Sequence, residues 1–398
     1  MTSRERMAAA MRRQTPDRVP VMCQLALGHY FLHSGLDAVE VWHDSAAFGE
    51  ALLALQRRYG FDGILVNLPG RDPQWRRHLQ RVEQHGGERH LVWTDGRVTV
   101  APPDDNPHVY LADRATRSFP AFAEIEPERL YYVEPHDLAG VSYPQRWGFR
   151  AEPAVPGPEF FPPWQWNTLR YVRERAPDVS LHGEVFSPFS QFLELLDYTA
   201  GLLALLAGAG MVKACLQALS EGTVELMKGQ ARAGVDAILV SSAFAGGGLI
   251  SREHYREFVL PSEQAVIAGF KRAFPDVPVY THTCGAIGDR LELLAETGTD
   301  GIDTLDPPPL GNVELADAKR RIGGRLFIKG NLDAVNTMLR GTPEQVYADA
   351  RRRLEAAMPG GGYILSTACS VAPTAAPENI LQLRAAVEAA GRYERSGR

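Results

Sequence analysis

A chain of 398 residues and 43.8 kDa is long enough for two or three ordinary domains or for one large barrel. Its 45% apolar and 23% charged residues suit a globular protein with a sizeable core, and a formal charge of −6 argues against a partner such as duplex nucleic acid, which selects a basic face. No run reaches the roughly 18 apolar residues that span a bilayer, the charged start has no secretion-type apolar core, and four cysteines cannot make a disulfide framework, so a cytoplasmic protein without membrane contact is expected.

In chain order, the first apolar run is Arg18–Cys23 (RVPVMC). The second, Ile64–Val66, follows a helix ending at Gly60, where glycine supplies the left-handed cap before a strand buried on both faces. The spacing then breaks between Asn67 and about Asp178, a stretch rich in proline and aromatics in which His90–Val100 reads as a hairpin around Asp95-Gly96. Further runs follow at Val179–Val185, Val235–Val240 after Gly234, Val277–Tyr280, Ile302–Leu305 after Gly298, Arg325–Lys329 and Tyr363–Leu365. Helical periodicity separates them at Ser251–Phe274, Ile287–Thr297 and Pro343–Met358, the last opened by a Thr342–Gln345 capping box.

Eight strands alternating with helices predict an α/β fold, a (β/α)8 TIM barrel, as a single domain over 1–398 with an insertion after the second strand at about 68–178. A doubly wound sheet is the alternative, but no glycine-rich dinucleotide loop follows the first strand. In such a barrel, chemistry gathers where strands end. Val277–Tyr280 runs into His282-Thr283-Cys284, Ile302–Leu305 ends in Asp306, and Tyr363–Leu365 leads to Cys369. Histidine and cysteine are the ligands zinc prefers, and His-x-Cys on an extended segment turns both side chains to one face. The plainer alternative is two buried cysteines and a core histidine.

Other strand ends offer His182 and Glu184, which flank Gly183; Glu184 is a candidate general acid or base at the mouth, against a supporting carboxylate. His29 reads as a loop histidine with a solvent or structural role. Ser241, Ser242 and Asn331 are candidates for hydrogen bonds to substrate, and Cys23 and Cys215 read as small core residues. Ser366 has no His/Asp pairing in sequence, so no nucleophilic serine is expected.

The opening Arg4-Glu5-Arg6 through Pro16-Asp17-Arg18-Val19-Pro20-Val21 resembles that of the uroporphyrinogen decarboxylase superfamily. The block His282-Thr283-Cys284-Gly285, with Asp306-Pro307-Pro308-Pro309, Lys329-Gly330-Asn331-Leu332-Asp333 and Cys369, is similar to its zinc-dependent, cobalamin-linked methyltransferase branch. The resemblance covers the chain outside the insertion. It implies a (β/α)8 barrel in which His282, Cys284 and Cys369 hold zinc and activate a thiol, such as coenzyme M or homocysteine, for methylation. Other members demethylate methoxylated compounds or methylamines with a corrinoid protein as partner. Asp306 stands where related enzymes often have Glu, which leaves it as a fourth ligand or a supporting group.

The resemblance thus implies a small-molecule substrate and methylcobalamin carried by a partner, because no Asp-x-His-x-x-Gly corrinoid motif occurs here. A monomer or homodimer is expected. Uroporphyrinogen decarboxylase itself carries Met-Arg-Gln-Ala-Gly-Arg-Tyr after its first strand. Here Cys23-Gln24-Leu25-Ala26-Leu27-Gly28-His29-Tyr30 has no arginine for a polycarboxylate. The rival readings are a decarboxylase-like lyase acting on a carboxylated small molecule and a non-catalytic barrel that binds zinc or a thiol.

Overall fold

The computed structural model describes residues 1–110, 120–133 and 157–394. Among them, eleven strands form two sheets. β1 (Gly63–Val66) begins the larger. β2 (Leu79–His85), β3 (Glu88–Trp93), β4 (Val98–Ala101) and β5 (His108–Tyr110) make the smaller, which is antiparallel. β6 (Ser180–Phe186), β7 (Ala237–Ser241), β8 (Val279–Thr283), β9 (Gly301–Thr304), β10 (Phe327–Leu332) and β11 (Tyr363–Thr367) complete the larger. Its order, β1-β6-β7-β8-β9-β10-β11, sets each parallel strand beside its neighbour in sequence, as in a sheet that curls with helices outside it. Helix Ser45–Tyr59 does end at Gly60, with φ 66°, before β1. No single helix among the described residues is long and apolar enough to cross a membrane.

One expected strand does not form. Arg18–Cys23 makes isolated bridges instead, because Pro20 has no N–H to give a ladder and the Val21 amide donates to the Asp62 side chain. The segment still lies between the sheet's two edges: Leu365 N donates to Pro20 O at 2.9 Å, and Asp62 N donates to Val21 O at 2.7 Å. The smaller sheet falls in the stretch read as an insertion. The hairpin at Asp95-Gly96 pairs His90 with Val100, and Trp75, Leu91 and Trp93 give this sheet its own core.

Inside the larger sheet, Leu65, Leu239, Tyr280, Phe327 and Ile364 pack with Met7 and Met11 of helix Ser3–Met11, which covers the end where the strands begin. Asp62 anchors that helix. Its fully buried carboxylate accepts from Arg6 Nη1 (2.8 Å), Arg18 Nη1 and Nη2 (2.8 and 2.9 Å) and Ser3 Oγ (2.9 Å). Asp62→Ala would leave two buried guanidinium groups facing one another, a loss of about 3–5 kcal/mol. The expected result is a lower urea midpoint with an unchanged slope; a midpoint equal to wild type would refute this role for Asp62.

Candidate metal centre

The strand β8 alternates, so Tyr280 and His282 share its inner face, and Cys284 follows at the strand's end. Cys369 comes to the same place from β11, where Thr367 Oγ1 donates to the Cys369 carbonyl at 2.6 Å. Donor atoms of His282, Cys284 and Cys369 all lie within 4.8 Å of one another, and no other such group of three occurs among the described residues. His282 Nε2 is 3.2 Å from Cys284 Sγ, and the two sulfurs are 3.8 Å apart. A tetrahedral zinc with Zn–S bonds of about 2.3 Å separates its sulfurs by about 3.8 Å. The donor set and its spacing therefore fit zinc. His282 is buried, while both cysteines remain partly accessible.

Charge inside the triad is coupled. Burial alone would lower the His282 ring, but Asp303 and Cys369 outweigh it and push it up to about 10. The hydrogen bond between the two sulfurs holds Cys369 well below the ordinary thiol range, with help from His282, and raises Cys284. A cation entering here must displace protons, so its binding is expected to strengthen as pH rises.

Beneath the donors lies a set of residues that the sequence reading did not single out for chemistry. His282, Asp303 and Lys329 are in register across β8, β9 and β10. Lys329 Nζ donates to both Asp303 oxygens at 3.0 and 2.9 Å, and both residues are buried. Asp303 Oδ2 is 3.6 Å from His282 Nδ1, and Thr304 Oγ1 is hydrogen-bonded to that nitrogen at 2.8 Å. A signal was available: an Asp and a Lys inside otherwise apolar strands violate the core pattern, which marks sites more often than accidents.

The other candidates distribute unevenly. Asp306 does not join the triad; its Oδ2 accepts from Gly285 N at 2.6 Å, which fixes the turn after Cys284, and burial raises its carboxyl. His182 lies deep rather than at the mouth. It is fully buried, with Nδ1 bonded to Tyr280 OH (2.8 Å) and Nε2 to Ser180 Oγ (3.0 Å), and burial lowers its ring to about 3. Glu184, two residues further along β6, is partly accessible; burial pushes its carboxyl up to about 7, opposed by His282 and a hydrogen bond with Ser241.

Ser241 is in register with His282. Ser242 and Asn331 are engaged within the protein: Ser242 N donates to the His282 carbonyl (2.8 Å), and Asn331 Nδ2 to the Leu305 carbonyl (2.7 Å). His29 sits on helix Leu27–His33 rather than in a loop, buried and bonded to Tyr59 OH at 2.7 Å, which leaves the structural half of its expectation. Cys23 and Cys215 are core residues.

Known proteins resemble this chain in sequence and in fold. Over 178 residues the chain is 35% identical to a uroporphyrinogen decarboxylase of Thioalkalivibrio sulfidiphilus, an alignment covering 44% of this chain and 48% of that protein. Over 221 residues it is 26% identical to the methylcobamide:CoM methyltransferase MtaA of Methanosarcina barkeri, covering 55% and 61%. The aligned part thus spans about half the length of the curated relatives it matches. A methyltransferase from Methanosarcina mazei has the same fold, with a TM-score of 0.70 over 98% of this chain and 99% of its own at 19% identity. Residues 158–390, which carry the triad, Glu184, Asp303 and Lys329, match the family described as uroporphyrinogen decarboxylase (URO-D), and the chain belongs to that family.

Proposed function

We propose that this protein is a zinc-dependent methyltransferase that moves a methyl group between a methylcobamide on a corrinoid protein and a small thiol. The observation that carries this reading is the His282–Cys284–Cys369 triad at the strand ends, two cysteine sulfurs and one histidine ring at zinc-like spacing. Zinc held there would make a substrate thiol acidic enough to react as thiolate near neutral pH. Glu184, partly accessible and beside Ser241 and His282, accepts the thiol proton. The barrel mouth orients the thiolate towards the incoming methyl group. Asp306, engaged with Gly285, leaves a ligand position free for substrate, which favours catalysis over a closed binding site.

In the reverse direction a methoxylated compound would be the donor. The relatives named as uroporphyrinogen decarboxylases favour a second reading, a lyase acting on a carboxylated small molecule. We also read residues 18–25 as the member that closes the sheet into a full (β/α)8 barrel, a single domain interrupted at about 68–178.

The test incubates the zinc-loaded protein with methylcobalamin and either coenzyme M or homocysteine. Formation of the methyl thioether is expected only when zinc and thiol are both present. Below about 7 the Glu184 carboxyl already holds its proton and cannot accept another, so the rate should rise with pH through that value. Glu184→Gln should retain zinc, lose about 10²–10⁴-fold in rate and lose that inflection. A variant as fast as wild type returns Glu184 to a supporting role. Methyl transfer from methoxylated donors alone would reverse the proposed direction.

A further inference from the structure

We infer that Lys329, Asp303 and Thr304 form a relay that locks the His282 ring with Nε2 facing the two sulfurs, so that residues outside the metal's reach set how tightly the site holds it. The inference rests on the zinc reading above. Two opposite charges are buried side by side under the site. Replacing such a pair with well-packed apolar residues is often neutral or stabilising, so stability alone is a weak reason for its presence.

The geometry supplies that role. Lys329 grips both Asp303 oxygens, which fixes the carboxylate. Asp303 Oδ1 accepts from Thr304 N at 2.9 Å, and Thr304 holds φ 83°, a left-handed conformation that a β-branched residue rarely adopts. Strain of this kind persists where surrounding contacts dictate it. Here it brings Thr304 Oγ1 to 2.8 Å from His282 Nδ1. With Nδ1–H donating to that hydroxyl and the Asp303 carboxylate 3.6 Å behind, Nε2 keeps its lone pair for the metal. None of the three side chains belongs to the donor group, so these are positioning residues.

The test measures zinc affinity by competition with a chromophoric chelator, together with the visible spectrum after cobalt substitution. Asp303→Asn and Thr304→Val should each bind zinc about 10–100-fold more weakly and shift the cobalt bands. Thr304→Val keeps the ion pair and the β-branched shape, so it remains informative should Asp303→Asn fold poorly. The double variant Asp303→Asn/Lys329→Met removes both charges. Its metal-free thermal stability should recover relative to Asp303→Asn while its zinc affinity stays low. Affinity that recovers along with stability would reduce the pair to a structural role and overturn the relay. So would wild-type affinity and spectra in both single variants. A wild-type protein that takes up no zinc removes the metal reading itself and the relay with it.

Discussion

Cys369→Ser is expected to lower bound zinc from about one per chain to a small fraction and to abolish thiol methylation. A serine hydroxyl stays protonated near neutral pH where a metal-bound cysteine is a thiolate, and Cys369 is the sulfur whose proton the site holds more weakly. Structural zinc sites in small peptides are worth about 10–16 kcal/mol, so loss of one of three donors here is expected to cost several kcal/mol, on the order of 10²–10³-fold in affinity. His282→Ala and Cys284→Ser should behave alike, since each removes one of three donors. The fold should survive, because the donors come from strand ends and the hydrophobic core packs without them. Far-ultraviolet circular dichroism should therefore stay unchanged while metal analysis falls. The internal control is Cys215→Ser, a fully buried core position, which should lower stability without releasing metal. Full zinc retention in Cys369→Ser would sink the site.

Much of this arrangement is legible in the sequence for a definite reason. Parallel strands buried on both faces are short apolar runs, and glycine caps such as Gly60 mark where the preceding helix stops, so β1 and β6–β11 can be located without a structure. His282, Cys284 and Cys369 stand at the ends of those runs, and the curled sheet brings the ends together. Depth and pairing are less accessible. His182 and Glu184 share a strand face, and only the lateral contact to Tyr280 reveals that the first is buried and the second is near the mouth. Likewise, the Lys329–Asp303 pair depends on register between β9 and β10, a relation that neither strand encodes alone. At Arg18–Cys23 the apolar run is present, but the missing amide of Pro20 and the side chain of Asp62 divert the hydrogen bonds that a strand would use. For Asp306, the sequence places a carboxylate near the site, and the Gly285 amide takes it.

Anaerobic incubation with uroporphyrinogen III is expected to give no decarboxylated porphyrinogen, although proteins named for that reaction are among the relatives. The argument is electrostatic. A substrate with several carboxylates, drawn out of water, needs guanidinium or ammonium partners drawn out with it. The stretch Val21–Trp42, which contains the region aligned with the arginine-rich motif, has no Arg or Lys. Among the described residues, two cations of this region are already engaged: Lys329 with both oxygens of Asp303, and Arg290 with the carbonyls of Ala245 and Ile250. A net charge of −6 adds no long-range attraction for a polyanion. Two outcomes separate the readings. Coproporphyrin in the oxidised products, at a turnover on the order of 1 s⁻¹ or faster and unaffected by chelators, would replace methyl transfer with the lyase reading and leave the triad without a part in the chemistry. No decarboxylation, with methylcobalamin demethylated only when thiol and zinc are both supplied, is what the proposed function predicts: two sulfurs 3.8 Å apart beside a histidine nitrogen suit a soft metal and a thiol.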